Sequence, residues 1–324
     1  MNEYTIGIDV GGTKSAYGLF DSNHKIVARH QHPTESCGTC EDICDRIVKG
    51  IYDLIEEAGI SLDNVSGIGL AMPSYINFET GRIICTSNIC NLKDFEAKQY
   101  FEAKLGKRVV LDNDCNAAAL AEHRFGAGRG HKHMLYCAVS TGISNGIIIN
   151  NELFRGSYGA AGETGHMLIT PDEGVECGCG NKGCFMSWVS GSNIVKHIRH
   201  WIEAGGQTAM LEMAGGDPER IDGRIIEKCA KDGDEMALKA IDTMAYYLGM
   251  WIFNTYQAYN INCYVFGGGL VKMGALLFDK AFDYFRKFNV TQPNDDIYFK
   301  FAELEHDFGI IGAEQLLVDP ECIC

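Results

Sequence analysis

Apolar residues alternate with polar or small residues near the start of the chain, at a spacing that predicts β-strands. The first strand covers 6–10, and a Gly-Gly turn leads into a second strand that ends at Phe20. A third strand is predicted over 25–30. Beyond it, apolar residues of 43–55 recur every three to four positions, which predicts a helix with one buried face.

The rest of the chain alternates helices with strands, and the opening pattern occurs a second time. Further strands are predicted at 65–70, 108–112, 134–140, 144–150, 263–266 and 297–301, and further helices at 94–105, 116–124, 235–256, 276–288 and 309–317. A strand-turn-strand that opens each half indicates two α/β lobes with a cleft between them. We predict an N-terminal lobe over 1–116, to which a C-terminal helix at 308–324 returns, and a C-terminal lobe over 117–307.

Composition excludes several classes of protein. The chain has 324 residues, of which 46% are apolar and 22% charged, as in a globular enzyme of two domains. The net charge of −15, with scattered Lys and Arg, argues against a nucleic-acid partner. No apolar run approaches the roughly 18 residues of a membrane span, and the first residues begin a strand where a signal peptide would be apolar. We therefore expect a cytoplasmic protein without a membrane partner.

Fourteen cysteines suit a reducing compartment, where thiols stay free or bind metal. One histidine and three cysteines fall in a single glycine-rich loop: His166, Cys177, Cys179 and Cys184. One imidazole and three thiolates are the ligand set of a closed tetrahedral zinc site. The three cysteines of 37–44 are also closely spaced. Idle thiols at a helix start explain them better, because His30 and His32 are the sole histidines nearby.

Glycine turns follow three of the predicted strands. They are Asp9-Val10-Gly11-Gly12-Thr13-Lys14, Ser140-Thr141-Gly142 and Gly267-Gly268-Gly269. Without a Cβ, the backbone N–H groups of such turns can approach a phosphate closely, and Asp9 could hold Mg²⁺ through water. A single Gly-Gly turn is usually only a hairpin. Three turns at strand ends favour a bound nucleotide.

A polar run at 112–116 lies where a strand ends and a helix begins, the position at which α/β sheets present ligand contacts. Spacing alone favours Asp112 or Asp114 as a helix cap. Asn113 beside Asp114 also offers a donor, an acceptor and a base, which are the groups needed to orient a hydroxyl and remove its proton. The pattern leaves both interpretations open.

The motifs in their order along the chain resemble the ROK family (repressor, open reading frame, kinase). They are Asp9-x-Gly11-Gly12-Thr13-Lys14, Asn113-Asp114-x-Asn116-Ala117-Ala118, Ser140-Thr141-Gly142, Gly162-Glu163-x-Gly165-His166 and Cys177-x-Cys179-Gly180-x-x-Gly183-Cys184. The resemblance implies an α/β, two-lobed actin-like ATPase fold (ribonuclease H-like) with an interlobe cleft. It also implies ATP-dependent phosphorylation of a sugar hydroxyl, usually on a hexose, by a homodimer.

The resemblance further implies a role for each matching residue. Asp114 is the general base, and the other sugar contacts are Asn88 (a looser match), Asn113, Glu163 and His166. The structural zinc ligands are His166, Cys177, Cys179 and Cys184. The MgATP contacts are Asp9, Gly11, Gly12, Thr13, Lys14, Thr141, Gly142, Gly267, Gly268 and Gly269. With one ring nitrogen on zinc, the other nitrogen of His166 carries a proton, and this N–H can donate a hydrogen bond to a sugar oxygen.

Two positions depart from the family pattern. Met186 stands two residues after the last zinc cysteine, where these kinases usually place a sugar-binding glutamate. Losing a partner for a buried hydroxyl costs roughly 1–3 kcal/mol. We therefore predict a hexose preference shifted from glucose, for example to allose or another epimer. Asn145 occupies a position that is usually glycine, which puts phosphate contacts there in doubt.

Two other functions belong to different classes. A sugar-binding protein with impaired catalysis would account for Met186, but it would have no need of the base Asp114. A sugar-responsive ROK repressor carries a DNA-binding domain ahead of the first glycine turn. Here eight residues precede Asp9, which together with the negative charge favours the kinase.

Overall fold

The computed structural model describes residues 4–86, 89, 92–290, 296–304 and 306–318. Asn88, one of the predicted sugar contacts, lies outside the described residues. Among the helices in these ranges, none has the length and apolar character that crossing a membrane requires.

The elements follow the predicted order. The strands are β1 (Tyr4–Val10), β2 (Lys14–Phe20), β3 (Ile26–Pro33), β4 (Val65–Met72), β5 (Ser74–Asn77), β6 (Arg82–Thr86), β7 (Arg108–Asn113), β8 (Met134–Val139), β9 (Ile143–Ile149), β10 (Glu152–Leu153), β11 (Cys263–Gly267) and β12 (Tyr298–Phe301). The helices are α1 (Cys40–Ala58), α2 (Ala97–Leu105), α3 (Asp114–Phe125), α4 (Met186–Val189), α5 (Gly191–Glu203), α6 (Ala209–Met213), α7 (Gly223–Lys231), α8 (Glu235–Tyr259), α9 (Ala275–Phe288) and α10 (Phe308–Gln315). Every predicted strand and helix is present, with ends shifted by a few residues.

The elements that the pattern did not predict are β5, β6, β10 and α4 to α7. The strands β5 and β6 and the helices α4 and α6 are each four or five residues long, too short for a periodic pattern to be recognised. Helix α5 was predictable, since its buried residues include Ile194, Val195 and Ile198 at helical spacing.

The first sheet has the order β3-β2-β1-β4-β7. Strands β1, β2 and β3 are antiparallel neighbours, whereas β4 runs parallel to both β1 and β7. Asp9 of β1 pairs with Ala71 of β4, and Ala71 pairs with Asp112 of β7. The carboxyl ends of these parallel strands are therefore level. Two strand spacings separate Asp9 from Asp112, roughly 10 Å.

The second sheet has the order β10-β9-β8-β11-β12. Its last pair, β11 and β12, is parallel, with Cys263 opposite Tyr298. Strand β11 is buried at all five residues, as expected for a strand covered on both faces.

The chain divides into two compact units. Unit 1 comprises Met1–Tyr136, Gly146–Ala161 and Ala302–Cys324, and unit 2 comprises Cys137–Asn145 and Gly162–Phe301. The predicted lobes, 1–116 and 117–307, are a different division of the chain and stay a prediction.

Helix α10 completes unit 1 from the far end of the chain. It packs on β1, β4 and α3, and glycines permit the approach. A Cβ at Gly7 would overlap the carbonyl oxygen of Ile310, and one at Gly69 would overlap that of Ala313. A Cβ at Gly312 would in turn overlap the carbonyl oxygen of Ala117 in α3. The helix therefore contacts the sheet backbone itself.

Candidate active site and metal centre

The chemistry-bearing residues of unit 1 lie at the carboxyl edge of the first sheet. Asn113 is the last residue of β7, and Asp114 is the first residue of α3. Asn113 caps this helix, because its Oδ1 accepts a hydrogen bond from the Cys115 N–H at 2.8 Å, while its Nδ2 donates to the Ser74 carbonyl at 3.2 Å. The carboxylate of Asp114 is half-buried and accepts from the same Cys115 N–H at 2.8 Å. The N-cap residue is thus Asn113, whereas spacing alone favoured Asp112 or Asp114.

Asp112 instead forms a buried ion pair with Arg155. The Arg155 Nε lies 2.7 Å from the Asp112 Oδ2, and the two side chains are 1% and 4% exposed. The Asp112 Oδ1 accepts from the Asn113 N–H at 2.7 Å and from the Asn116 Nδ2 at 2.8 Å. The ion pair therefore supports the turn that carries Asp114. Sequence reasoning missed Arg155, because no local pattern marks a partner 43 residues away.

Asp9 lies near the end of β1, close to Asp114 and to the first turn of α10. A Cβ at Gly309 would overlap the Asp9 carboxyl group, so the glycine leaves room for it. Burial raises the pKa of the Asp9 carboxyl to about 6, and the Asp114 carboxylate raises it as well, whereas Lys14 lowers it. The two carboxyl groups therefore act on each other electrostatically within unit 1.

The first glycine turn is closed by a hydrogen bond from the Gly11 N–H to the Lys14 carbonyl at 3.0 Å. A second bond, from the Thr34 N–H to the Thr13 carbonyl at 2.9 Å, ties the turn to the residue after β3. The side chains of Thr13 and Lys14 are exposed. They are therefore accessible to a ligand.

In unit 2, the turn between β8 and β9 meets the start of α5. The Gly191 N–H donates to the Ser140 carbonyl at 2.7 Å, and the Ser192 Oγ donates to the Thr141 carbonyl at 2.6 Å. The third glycine turn lies beside the same strand, since a Cβ at Gly268 would be 2.5 Å from the Val139 carbonyl oxygen. The structure thus brings together two of the three predicted glycine turns. Sequence reasoning missed Ser192, which lies inside α5, because its partner Thr141 is 51 residues away.

The four predicted zinc ligands of unit 2 form one cluster. Among the residues that the structure describes, His166, Cys177, Cys179 and Cys184 are the group that could hold a metal, with ligand atoms within 4.8 Å of one another. The Cys177 Sγ lies 3.5 Å from the His166 Nδ1, and the Cys179 Sγ lies 3.6 Å from the Cys184 Sγ. Tetrahedral zinc with Zn–S of about 2.3 Å and Zn–N of about 2.0 Å separates its ligand atoms by roughly 3.5–3.8 Å. The donor set and its spacing both fit zinc.

The loop that carries the cysteines is held to the His166 segment by backbone hydrogen bonds. The Phe185 N–H donates to the Met167 carbonyl at 2.8 Å, and the Ile169 N–H donates to the Gly183 carbonyl at 2.8 Å. With its Nδ1 turned toward Cys177, His166 has its Nε2 at 3.9 Å from the Glu163 Oε2. This second ring nitrogen therefore faces the neighbouring predicted sugar contact.

Met186 begins α4, immediately after the metal loop. Its side chain is half-buried, and its Cε would be 3.7 Å from a Cβ placed on Gly142. An apolar thioether therefore reaches the Thr141–Gly142 turn, at the position where the family resemblance leads one to expect a carboxylate.

The structure places each described candidate residue in one of the two units. Those of unit 1 are Asp9, Gly11, Gly12, Thr13, Lys14, Asn113 and Asp114. Those of unit 2 are Thr141, Gly142, Glu163, His166, Cys177, Cys179, Cys184, Gly267, Gly268 and Gly269. That the two sets face a common cleft stays a prediction.

Comparison with known proteins identifies the family. The model of the ROK family matches residues 5–319. A glucokinase of Streptomyces coelicolor is 32% identical over 324 residues, which cover 98% of this chain and 99% of that protein. A xylose repressor of Bacillus spizizenii is 30% identical over 269 residues, 83% of this chain and 65% of the repressor.

The fold is shared with solved structures of the same family. The crystal structure of a ROK family glucokinase from Streptomyces griseus, in complex with glucose and AMPPNP, is 31% identical. It superposes with a TM-score of 0.77 over 97% of this chain and 98% of its own. The α/β, actin-like ATPase fold predicted from the motifs is confirmed, as is the enzyme class, an ATP-dependent carbohydrate kinase. The chain belongs to the ROK family.

Proposed function

We propose that this protein transfers the γ-phosphoryl group of ATP to a hydroxyl group of a hexose, with Asp114 as the general base. The observation that carries the proposal is the arrangement at the start of α3. There the half-buried carboxylate of Asp114 directly follows the helix cap Asn113. The backbone N–H of Asn113 is in turn held by a hydrogen bond to the Asp112 carboxylate. A base held in one orientation and adjacent to hydrogen-bonding groups suits the removal of a proton from a bound alcohol.

Each residue has a role that its bonding capacity permits. Asp114 accepts the proton as the hydroxyl attacks the γ-phosphorus in line. The Nδ2 of Asn113 uses one hydrogen on Ser74, which leaves its second hydrogen for a sugar oxygen. Glu163 and His166 supply an acceptor and a donor for further hydroxyls. Backbone N–H groups of the glycine turns offset the charge that develops on the phosphates.

Asp9 is the residue proposed to hold Mg²⁺, through water, beside the nucleotide. Its carboxyl group fits a hard cation, which prefers oxygen ligands. A pKa of about 6 leaves this carboxyl mostly ionised at neutral pH. Bound magnesium would neutralise charge on the β- and γ-phosphates. We further propose a homodimer, as the family resemblance implies, and, from the composition and net charge, a cytoplasmic protein without a nucleic-acid partner.

The proposed activity is tested by assaying ATP consumption with a panel of hexoses. We expect turnover with at least one of them and a preference shifted from glucose, for example to allose or another epimer. Met186→Glu restores a carboxylate and should raise kcat/KM for glucose by about ten- to a hundredfold relative to the preferred hexose, since one hydrogen bond to a charged group contributes roughly 1.5–3 kcal/mol.

The matched control is Met213→Glu, the same change at a half-exposed methionine of unit 2 (51% exposed). It should leave the preference unchanged. Glucose as the best substrate by a wide margin contradicts the shifted preference. No ATP consumption with any hexose contradicts the kinase proposal and favours a sugar-binding protein with impaired catalysis.

The metal is proposed to be a structural zinc ion that orders the loop from His166 to Cys184. Binding free energies of structural zinc are on the order of 10 kcal/mol, enough to fix a loop of this size. We expect purified protein to contain about one zinc ion per chain, as four-ligand structural sites do. Cys179→Ser should lose most of it and unfold at a lower temperature. Elemental analysis and thermal denaturation measure both effects.

Cys85→Ser is the control for that experiment. Cys85 and Cys179 are both exposed, but Cys85 lies outside the metal cluster. The control should keep its zinc and its unfolding temperature. If Cys179→Ser contains as much zinc as Cys85→Ser and the wild type, Cys179 is not a zinc ligand.

A further inference from the structure

The segment between the two proposed sugar contacts, Glu163 and His166, is fixed by a buried hydrogen-bonded chain. The Trp251 Nε1 donates to the Thr164 Oγ1 at 3.0 Å, and the Thr164 Oγ1 donates to the Asn145 Oδ1 at 2.6 Å. Trp251, Thr164 and Asn145 are 0%, 5% and 4% exposed. The buried hydroxyl of Thr164 therefore accepts one hydrogen bond and donates the other.

The same tryptophan also contacts the far end of the metal loop. Its indole ring stacks on Phe185, with ring centroids 5.2 Å apart and planes at 10°. Phe185 directly follows the metal-cluster residue Cys184. Helix α8, through the side chain of Trp251, thus contacts both Thr164, two residues before His166, and Phe185, the residue after Cys184.

The backbone of the segment lies directly on β9. A Cβ at Gly165 would be 2.7 Å from the Ile143 carbonyl oxygen, and one at Gly162 would overlap the Asn145 carbonyl oxygen. The side chain of Asn145 accepts the hydrogen bond from Thr164, which a glycine at this position could not do. Asn145 also lies on the strand that follows the Thr141–Gly142 turn.

We propose that Thr164, with Asn145 and Trp251, is a positioning residue that sets Glu163 and His166 for sugar binding. This inference rests on the proposed function of these two residues. Buried polar groups keep a single geometry only when each is satisfied. Removing the Thr164 hydroxyl leaves the Asn145 Oδ1 and the Trp251 Nε1 each without that partner. The segment should then shift or loosen while the metal ligands remain.

Thr164→Val tests the inference, because valine keeps the shape of threonine and removes the hydroxyl. We expect KM for the preferred hexose to rise about ten- to a hundredfold, the range that one or two lost buried hydrogen bonds correspond to. KM for ATP should stay within about twofold of the wild-type value. Zinc content should not change. Thr164→Ser restores the hydroxyl and should recover most of the sugar affinity.

Thr255→Val is the matched control for stability. Thr255 is a fully buried threonine of α8, and its Oγ1 donates to the Trp251 carbonyl at 2.9 Å. This variant should lower the unfolding temperature without raising KM for the sugar. The inference is overturned if Thr164→Val behaves as Thr255→Val does, or if it raises KM for sugar and ATP equally.

Hydrogen–deuterium exchange separates this inference from the proposed function. In Thr164→Val, amides of 162–168 should exchange about tenfold faster than in the wild type, since opening becomes easier when a buried bond is lost. If wild-type protein phosphorylates no hexose, the proposed function fails, and the exchange result still decides whether the network fixes the segment. Unchanged exchange in 162–168 overturns the inference in either case.

Discussion

Asp114→Asn is expected to lower kcat for hexose phosphorylation by about 10²–10⁴-fold, the contribution of a positioned general base. An amide keeps the shape of the side chain and still accepts the 2.8 Å hydrogen bond from the Cys115 N–H, but it cannot take a proton. Sugar binding should therefore persist within about threefold. Steady-state kinetics and a titration of the intrinsic tryptophan fluorescence with hexose measure the two quantities.

The control for this variant is Asp63→Asn, at an exposed aspartate of the same unit. It should leave both kcat and sugar binding unchanged. If Asp114→Asn retains more than about a tenth of the wild-type kcat, the base is another group and the proposed mechanism is wrong.

Arg155→Met is expected to destabilise the protein by about 3–5 kcal/mol, the usual cost of removing one partner of a buried ion pair. The Asp112 carboxyl group would then be enclosed without its guanidinium partner, since its side chain is only 4% exposed. We also expect the position of Asp114 to be disturbed, because the Asp112 Oδ1 accepts a hydrogen bond from the Asn113 N–H in the turn that carries Asp114. Urea denaturation, followed together with kcat, measures both consequences.

Two further variants make this test specific. Asp112→Asn combined with Arg155→Met removes both charges while keeping an acceptor for the Asn113 N–H, so it should regain part of the lost stability. Arg82→Met breaks the exposed ion pair between Arg82 and Asp94 and should have little effect, since solvent screens such pairs. A double variant less stable than Arg155→Met contradicts the ion-pair explanation.

Local signals in the sequence were sufficient to predict most of the fold. Strand periodicity located β1, β4 and β7, and the polar residues that follow them lie at one sheet edge because parallel strands end together. The family, the actin-like ATPase fold and the enzyme class predicted from the motifs are confirmed. The cluster of His166, Cys177, Cys179 and Cys184 was predictable for a related reason, since one imidazole and three thiols within 166–184 are close in sequence and have the spacing of a zinc site.

Contacts between distant segments were not predictable from the sequence. Arg155 and Trp251 have no motif around them, and their roles arise from partners 43 and 87 residues away. Asn145 was interpreted as a weakened phosphate contact. The structure shows that its side chain is buried and accepts a hydrogen bond from the Thr164 hydroxyl. These contacts form only when distant segments pack together in the folded core. The periodic pattern of apolar residues does not say which distant side chains will meet.

The close packing of α10 has a consequence for biosynthesis. Unit 1 is assembled from three stretches of chain, and its last stretch follows all of unit 2. A nascent chain that has emerged as far as β12 therefore has every strand of the first sheet but lacks the helix that covers Gly7 and Gly69. Domains generally fold as units during translation. Unit 1, however, cannot bury the sheet surface around Gly7 and Gly69 until α10 has emerged, after all of unit 2.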